Sequence, residues 1–218
     1  MHYKYIFFDL DGTLTDPAEG ITNAVARAFR ELGYPVPPKS ELLRYIGPPL
    51  LDAFREFCGM TPEESLRALD VFRAYYTKTG IHENRLLPYA RELLSLLRAG
   101  GYRTVLATSK PEGQAKTVLA DFEIASLFDL VAGSTPDQSR SKKNDIITYA
   151  LGLLGNPPVA DCLMVGDRFY DIEGASACGM AAVGVLCGYG SREELETAGA
   201  IAVFDDLLSL ANHLLAPQ

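Results

Sequence analysis

From residue 88 to residue 215 the sequence alternates regularly between extended and helical patterns. The extended patterns cover residues 102–107, 128–132, 162–165, 182–186 and 201–203, and the helical patterns cover residues 90–99, 112–121, 145–154, 172–178, the stretch after Ser191 and residues 206–215. Strands that alternate with helices of this length form a parallel sheet with helices on both faces. The sequence therefore predicts an α/β fold with a doubly wound, Rossmann-like parallel sheet. In such a sheet the ligand site lies beyond the carboxyl ends of the strands.

A block of helical patterns interrupts this alternation between residues 17 and 82. It follows an extended pattern at residues 4–9, and its apolar residues recur at helical spacing in residues 21–32, 50–57 and 66–76. Thr61-Pro62-Glu63-Glu64 fits a capping box with proline at the first helical position. We predict a core domain formed by residues 1–16 and 83–218 and an inserted all-α domain formed by residues 17–82.

Two acids follow the first apolar run. Asp9 and Asp11 come after Tyr5-Ile6-Phe7-Phe8 and are followed at once by Gly12-Thr13. Residues two apart in an extended chain lie on the same side, so the two carboxylates can address one site, where their like charges favour a cation. A single acid in this position would indicate only the start of a turn. The pair, at the end of a buried strand, indicates Mg²⁺ and a phosphate.

Composition excludes several classes of function. The chain has 218 residues, of which 48% are hydrophobic and 22% charged, and a net charge of -8. This charge argues against a nucleic-acid-binding or anionic-membrane surface, while a small anionic substrate can still enter a locally positive pocket. No apolar run approaches the roughly 20 residues that span a bilayer, and we expect a cytoplasmic protein. The four cysteines form no CxxC pair and are expected to be reduced core thiols.

The string Asp9-Leu10-Asp11-Gly12-Thr13-Leu14-Thr15-Asp16 resembles motif I of the haloacid dehalogenase (HAD) superfamily, and Gly166-Asp167-Arg168-Phe169-Tyr170-Asp171 resembles its motif IV. The layout is similar to that of members with a helical (C1-type) cap inserted after motif I, among them phosphoglycolate phosphatase. This resemblance implies that Asp9 is the nucleophile that attacks phosphorus and that Asp11 is the general acid and base. It also implies that the inserted helices form a lid.

The resemblance extends to the metal site. It implies that Mg²⁺ is bound by Asp167, Asp9 and the backbone carbonyl of Asp11, and that Asp171 orients the metal's ligands. Oxygen ligands of this kind suit Mg²⁺, which keeps several of its waters. An alternative for Asp171 is a helix-capping role.

Motifs II and III are weaker matches. Motif II corresponds to Thr108-Ser109, where the Thr108 hydroxyl and the Ser109 backbone N–H would bind a phosphoryl oxygen. Gly12 is included with these phosphate-binding residues. Motif III is a lysine, for which the chain offers Lys142 and Lys143. The helical stripe that follows favours Lys143 as the inward-facing residue.

In the inserted block, the segment around Gly47 resembles one found near the substrate in phosphoglycolate phosphatase relatives, although a helix-breaking turn explains it equally well. Further candidates for substrate contact are less specific and compete with simple packing roles. They are Arg44, Tyr45, Tyr75, Tyr76 and His82.

The sequence thus predicts a Mg²⁺-dependent phosphatase that hydrolyses a small phosphate monoester through an aspartyl-phosphate at Asp9. Three alternatives remain open. A nucleoside 5'-monophosphatase or pyrophosphatase would use the same core with another cap pocket, and a β-phosphoglucomutase-like enzyme would pass the phosphoryl group to a second hydroxyl. A catalytically silent binding protein on the same fold would usually lack Asp9, Asp11 or Asp167. The sequence favours neither a monomer nor a homodimer.

Overall fold

The computed structural model describes residues 3–137 and 139–216. The chain divides into two compact units. One comprises Met1–Thr15 and Leu86–Gln218 and is the α/β unit; the other comprises Asp16–Arg85 and is the helical unit. The prediction placed the boundaries of the inserted domain at residues 17 and 82.

The strands within the described residues form two sheets. They are β1 (Tyr5–Phe8), β2 (Thr15–Asp16), β3 (Arg85–Leu86), β4 (Arg103–Pro111), β5 (Leu130–Ser134), β6 (Cys162–Gly166), β7 (Ala181–Val185) and β8 (Val203–Phe204). The main sheet has the order β5-β4-β1-β6-β7-β8, and its neighbouring strands are parallel. The short strands β2 and β3 form the second sheet.

The α-helices of the described residues follow the sequence pattern closely. They are α1 (Ala18–Glu31), α2 (Lys39–Leu42), α3 (Leu50–Cys58), α4 (Pro62–Tyr75), α5 (Ala90–Ala99), α6 (Glu112–Asp121), α7 (Lys143–Leu153), α8 (Phe169–Ala177), α9 (Arg192–Thr197) and α10 (Leu207–Leu215). In the α/β unit they alternate with the strands of the main sheet, so the predicted doubly wound α/β class is confirmed.

The burial of β1 explains its place at the centre of the sheet. Ile6, Phe7 and Phe8 are fully buried, and β1 pairs with β4 on one side and β6 on the other. A parallel strand covered on both faces needs a continuous apolar run instead of alternation, which is what these residues supply. The chain builds β4 and β5 on one side of β1 and then returns to build β6, β7 and β8 on the other. The carboxyl ends beside β1 therefore form the crevice at which such sheets bind ligands.

Strand β4 differs from its prediction at its carboxyl end. The extended pattern predicted a strand that ends at Ala107, but the strand continues to Pro111. The pairing with β5 shifts register between Ala107 and Pro111, which pairs with Ser134. Such a bulge re-aims side chains near a site, and here it keeps Thr108, Ser109 and Lys110 in extended backbone.

The helical unit packs around α1, whose Phe29 ring lies 6.1 Å from that of Tyr45 and 6.3 Å from that of Phe54, measured between centroids. Helix α4 opens with the predicted capping box at Thr61. The helical pattern predicted one continuous helix to Gly80, but the last five residues, Tyr76–Gly80, form a π-helical turn. A Cβ at Gly20 would lie 1.9 Å from the Gly80 carbonyl oxygen, so close backbone approach accompanies this turn.

Two smaller findings concern the composition. No helix in the described residues is both long and apolar enough to cross a membrane. The cysteines are unpaired, and only Cys162 is buried, whereas Cys58, Cys178 and Cys187 are half-buried.

Candidate active site

Two acids of the site follow adjacent strands. Asp9 comes directly after β1 and is 6% exposed, and Asp167 comes directly after β6 and is fully buried. The backbone N–H of Asp9 donates to the carbonyl of Val165 at 3.0 Å. The two strands thus stay paired up to the acids, and this pairing places both carboxylates at one edge of the sheet.

A third acid completes a compact cluster. Asp171 lies in the first turn of α8 and is 1% exposed. One carboxylate oxygen from each of Asp9, Asp167 and Asp171 lies within 4.8 Å of the others. Three carboxylates so close together, with so little access to solvent, need a cation to offset their repulsion.

Lys143, the first residue of α7, supplies a cation from within the chain. Its side chain is 4% exposed, and Nζ lies 2.9 Å from Asp9 Oδ1 and 2.7 Å from Asp171 Oδ1. Nζ also donates a hydrogen bond to the Ala107 carbonyl at 3.0 Å. Burial disfavours the charged ammonium, but the carboxylates of Asp171 and Asp9 outweigh burial and raise the pKa of Lys143 above its ordinary value. The lysine therefore stays protonated.

One ammonium does not neutralise three carboxylates, and the pKa values of Asp167 and Asp171 are raised. Burial, followed by repulsion from Asp171 and Asp9, raises the pKa of Asp167 to about 8. Burial raises the pKa of Asp171 to about 6, although the nearby Lys143 ammonium opposes this shift. Without a further cation, Asp167 and Asp171 therefore keep their protons to a higher pH than ordinary carboxyl groups do.

The cluster fits a hard divalent cation. Asp9 Oδ1 and Asp171 Oδ1 are buried, and the Lys143 ammonium, at 2.9 and 2.7 Å, offsets part of their negative charge. A single ammonium leaves negative charge on three buried carboxylates, and a metal ion would offset it. All donors in the cluster are carboxylate oxygens, which is the ligand type of Mg²⁺ and Ca²⁺.

Two hydrogen bonds and two glycines hold Asp167 in place. Its Oδ1 accepts from the Thr13 hydroxyl at 3.0 Å, and its Oδ2 accepts from the Tyr189 backbone N–H at 2.8 Å. Gly12, which has a φ of 91°, and Gly188 both lie so close that a Cβ on either would be 2.2 Å from Asp167 Oδ2. The sequence analysis missed the segment that contains Gly188 and Tyr189. Its signal was Gly188-Tyr189-Gly190, a flexible tripeptide shortly after β7.

Asp171 has the helix-capping role that the sequence offered as an alternative. Its Oδ2 accepts from the backbone N–H of Arg168 at 3.2 Å, which caps α8, while its Oδ1 faces Lys143. Glu194 supports the same turn, because its Oε1 accepts from Arg168 Nε at 2.8 Å and from the Phe169 N–H at 3.0 Å. The first turn of α8, which carries Asp171, is thus held by Asp171 itself and by Glu194.

Asp11 is held apart from the three-acid cluster. Its Oδ2 lies 2.6 Å from Nζ of Lys110, in an ion pair whose side chains are 13% and 4% exposed. The Thr15 hydroxyl lies 3.5 Å from Asp11 Oδ1, at the limit of a hydrogen bond. The sequence analysis gave Lys110 no role, since a lysine between Ser109 and Pro111 carries no periodic signal.

The remaining predicted residues fall in different surroundings. Thr108 is 1% exposed, and its hydroxyl oxygen accepts from the Lys110 backbone N–H at 3.3 Å, while Ser109 is half-buried. Lys142, the residue before α7, is exposed. Gly47 belongs to the helical unit, where its φ of 106° suits glycine.

The other candidates of the helical unit have packing contacts of their own. Tyr45 and Tyr76 are 3% and 2% exposed. The Tyr75 hydroxyl donates to Glu83 Oε1 at 2.8 Å, and the Arg44 guanidinium lies 3.8 Å from the centre of a phenylalanine ring.

The fold and the site together place a cluster of buried carboxylates at the carboxyl edge of a doubly wound parallel sheet. The sequence profile of haloacid dehalogenase-like hydrolases matches residues 6–185. The chain therefore belongs to the haloacid dehalogenase-like hydrolase family.

Proteins with similar sequences are named for different activities. A 5'-nucleotidase of Pseudomonas aeruginosa is 38% identical over 96% of this chain and 95% of its own length. The tyrosine-protein kinase PtkA of Mycobacterium tuberculosis is 37% identical over 92% of this chain and 68% of its own. A phosphoglycolate phosphatase of Haemophilus influenzae is 31% identical over 97% of this chain and 98% of its own.

A solved structure is similar throughout. The crystal structure of "a predicted phosphatase from Clostridium acetobutylicum" superposes with a TM-score of 0.95, at 38% identity and with complete coverage of both chains. The chain is thus a phosphatase-type member of the family, that is, a phosphoric monoester hydrolase.

Proposed function

We propose that the protein is a Mg²⁺-dependent phosphatase that hydrolyses a small cytoplasmic phosphate monoester through an aspartyl-phosphate at Asp9. The observation that carries this proposal is the cluster of three buried carboxylates, two of which pair with Lys143, with Asp11 set apart in an ion pair with Lys110. The unpaired cysteines agree with a reducing compartment.

Asp9 is suited to act as the nucleophile. It lies at the end of the central strand, where its backbone is fixed by pairing with β6 and its Oδ1 faces Lys143. A carboxylate oxygen can form a bond to phosphorus while the ester P–O bond breaks. The Lys143 ammonium lowers the repulsion between this carboxylate and the incoming phosphate dianion.

Asp11 is suited to move the proton. In the first half-reaction its carboxyl group passes a proton to the departing ester oxygen, which leaves as an alcohol. In the second half-reaction water attacks the phosphorus of the aspartyl-phosphate and Asp11 takes a proton from that water. Asp9 then regains its carboxylate, and inorganic phosphate leaves.

Mg²⁺ would be held by Asp9 and Asp167, with Asp171 supporting its ligands, and it would neutralise phosphate charge during both half-reactions. Thr108 and the Ser109 backbone N–H would bind phosphoryl oxygens beside it, together with Gly12 on the motif I loop. The three carboxylates of the cluster, with only one ammonium against them, support this assignment.

Two substrate classes have specific support. The overall pattern and the H. influenzae relative favour phosphoglycolate, whereas the more similar P. aeruginosa relative favours nucleoside 5'-monophosphates. Both classes carry a phosphate monoester on a primary carbon, so the chemistry at Asp9 and Asp11 is the same for each.

A substrate panel tests the proposal. Purified protein is assayed for phosphate release from phosphoglycolate, nucleoside 5'-monophosphates, sugar phosphates and pyrophosphate, with Mg²⁺ and with EDTA. We expect Mg²⁺-dependent release from one class of monoester, and a loss of at least ~10³-fold in Asp9→Asn. Asp121→Asn, in an acid of the last turn of α6, is the matched control and is expected to keep full activity.

Phosphate release that persists in Asp9→Asn would refute the proposed nucleophile. A folded, Mg²⁺-loaded protein that releases no phosphate from the panel but isomerises a sugar phosphate would establish the mutase alternative instead.

A further inference from the structure

The active-site edge contains a second buried lysine. Lys110 lies in the extended end of β4, and its side chain is 4% exposed. Its Nζ lies 2.6 Å from Asp11 Oδ2. A buried, charge-assisted hydrogen bond of this length fixes both partners more firmly than a surface pair does.

The two lysines form ion pairs with different acids. Lys143 contacts Asp9 and Asp171, which belong to the three-acid cluster, whereas Lys110 contacts Asp11, which does not. Without Lys110, a cation bound in the three-acid cluster would attract the Asp11 carboxylate toward the cluster. The Lys110 ion pair opposes that movement.

A bulge at the end of β4 positions Lys110. The shift in register between Ala107 and Pro111 keeps Lys110 in the strand while changing the direction of the residues after Ala107. Gly133 allows the bulge, because a Cβ there would lie 2.7 Å from the Lys110 carbonyl oxygen. The bulge thus depends on a glycine in the neighbouring strand.

We propose that Lys110 is a positioning residue for proton transfer, which holds the Asp11 carboxyl group where it can reach the leaving oxygen of the substrate. This inference rests on the proposed function. Lys110 itself neither gives nor takes the proton. The ion pair is the state of Asp11 after its proton has passed to the leaving oxygen, and Asp11 regains a proton from the attacking water in the second half-reaction.

The effect of the leaving group on kcat/KM distinguishes a role in proton transfer from a role in phosphate binding. Protonation of the leaving oxygen matters for an alkyl phosphate and little for p-nitrophenyl phosphate, whose leaving group is stable as an anion. We expect Lys110→Met to lower kcat/KM for an alkyl phosphate of the panel by ~10²-fold and for p-nitrophenyl phosphate by less than ~5-fold. An equal loss for both substrates would overturn the proposal.

A double-mutant cycle tests whether Lys110 acts through Asp11. If it does, Lys110→Met in an Asp11→Asn background lowers kcat/KM for the alkyl phosphate by less than ~3-fold, because interacting residues are not additive. A further loss as large as that of the single variant would overturn the proposal. In that case Lys110 would act directly on the substrate or through the fold.

Controls separate this proposal from the proposed function. Lys116→Met removes another ion-paired lysine, whose Nζ lies 2.7 Å from Glu112 on the exposed face of α6, and it is expected to change neither rate. If Lys110→Met does not fold, Lys110→Gln is used and the same selective loss is expected. A wild-type protein inactive on both substrates would refute the proposed function, whereas an active one with no selective loss in the variant would refute only the role of Lys110.

Discussion

Lys143 Nζ lies 2.7 Å from Oδ1 of Asp171, and the same ammonium lies 2.9 Å from Oδ1 of Asp9. One residue of α7 thereby joins the acid after β1 to the acid in the first turn of α8. Asp167 adds a third carboxylate within 4.8 Å of these two. The cluster therefore carries an excess of negative charge, which accounts for its fit to a divalent cation.

Replacement of Lys143 tests this charge balance. Lys143→Met leaves buried carboxylates without their ammonium, and we expect a loss of about 3–5 kcal/mol in the free energy of unfolding at pH 8. The loss is expected to be smaller at pH 5, because Asp167 and Asp171 can then hold protons. Phosphatase activity is expected to fall by at least ~10²-fold. Denaturant unfolding at the two pH values measures the first effect.

Lys142→Met is the matched control, since the Lys142 side chain is exposed. We expect its equilibrium constant for unfolding and its phosphatase activity to stay within about twofold of the wild-type values, as is usual for surface positions. A Lys142 variant that loses activity, beside a Lys143 variant that keeps it, would reverse the assignment of the motif III lysine.

The metal-free protein is expected to lose stability as pH rises. A carboxyl group whose pKa is raised on folding binds its proton more tightly in the folded protein than in the unfolded chain. The contribution of Asp167 therefore falls from its ordinary pKa of 3.8 up to its folded pKa of about 8, and Asp171 adds to the fall up to about 6. Thermal unfolding in EDTA between pH 5 and pH 8 measures this slope.

Asp167→Asn is expected to flatten that slope, because the amide does not titrate. Mg²⁺ is expected to raise the Tm of the wild-type protein more at pH 8 than at pH 5, since protons compete with the metal for the carboxylates. A Tm that rises toward pH 8 without metal, or that responds equally to Mg²⁺ at both values, would contradict the account of the cluster.

Gly188 tests the close packing on Asp167. The Cβ of Gly188→Ala would lie 2.2 Å from Asp167 Oδ2 and from the Gly12 carbonyl oxygen, so the carboxylate must move. We expect a loss of about 1–3 kcal/mol in stability and ~10–100-fold weaker Mg²⁺ binding. Isothermal titration with Mg²⁺ measures the affinity.

Gly152→Ala provides the comparison. Gly152 lies in α7, where an added Cβ would meet no atom within 4 Å, so alanine there is expected to stabilise the protein by about 0.5–1 kcal/mol. Unchanged Mg²⁺ affinity in Gly188→Ala would show that this glycine does not determine the position of Asp167.

The fold was largely predictable from the sequence because its signals are local. The fully apolar run Ile6-Phe7-Phe8 indicates a strand buried on both faces, and the alternation of strands and helices indicates a parallel sheet. The extension of β4 to Pro111 was not predictable, because it depends on pairing with Ser134 across a bulge. The π-helical turn at Tyr76–Gly80 was not predicted either, and its last residue packs closely against Gly20, which is distant in sequence.

The site was predictable in part for the same reason. Asp9 and Asp167 follow strands directly and so carry a signal of position, and Asp11 lies two residues after Asp9. Lys110 and Gly188 carry no such signal, because each reaches the site through tertiary packing, Lys110 by its ion pair with Asp11 and Gly188 by its contact with Asp167.

The most direct test of the central claim is to trap the phosphorylated enzyme. The protein is mixed with a ³²P-labelled substrate of the panel and Mg²⁺, quenched with acid within the first turnover, and digested for peptide mapping. The account predicts a label on the peptide that contains Asp9, which hydroxylamine removes and which Asp9→Asn lacks. Full turnover with no label on the protein, or a label that persists in Asp9→Asn, would contradict it.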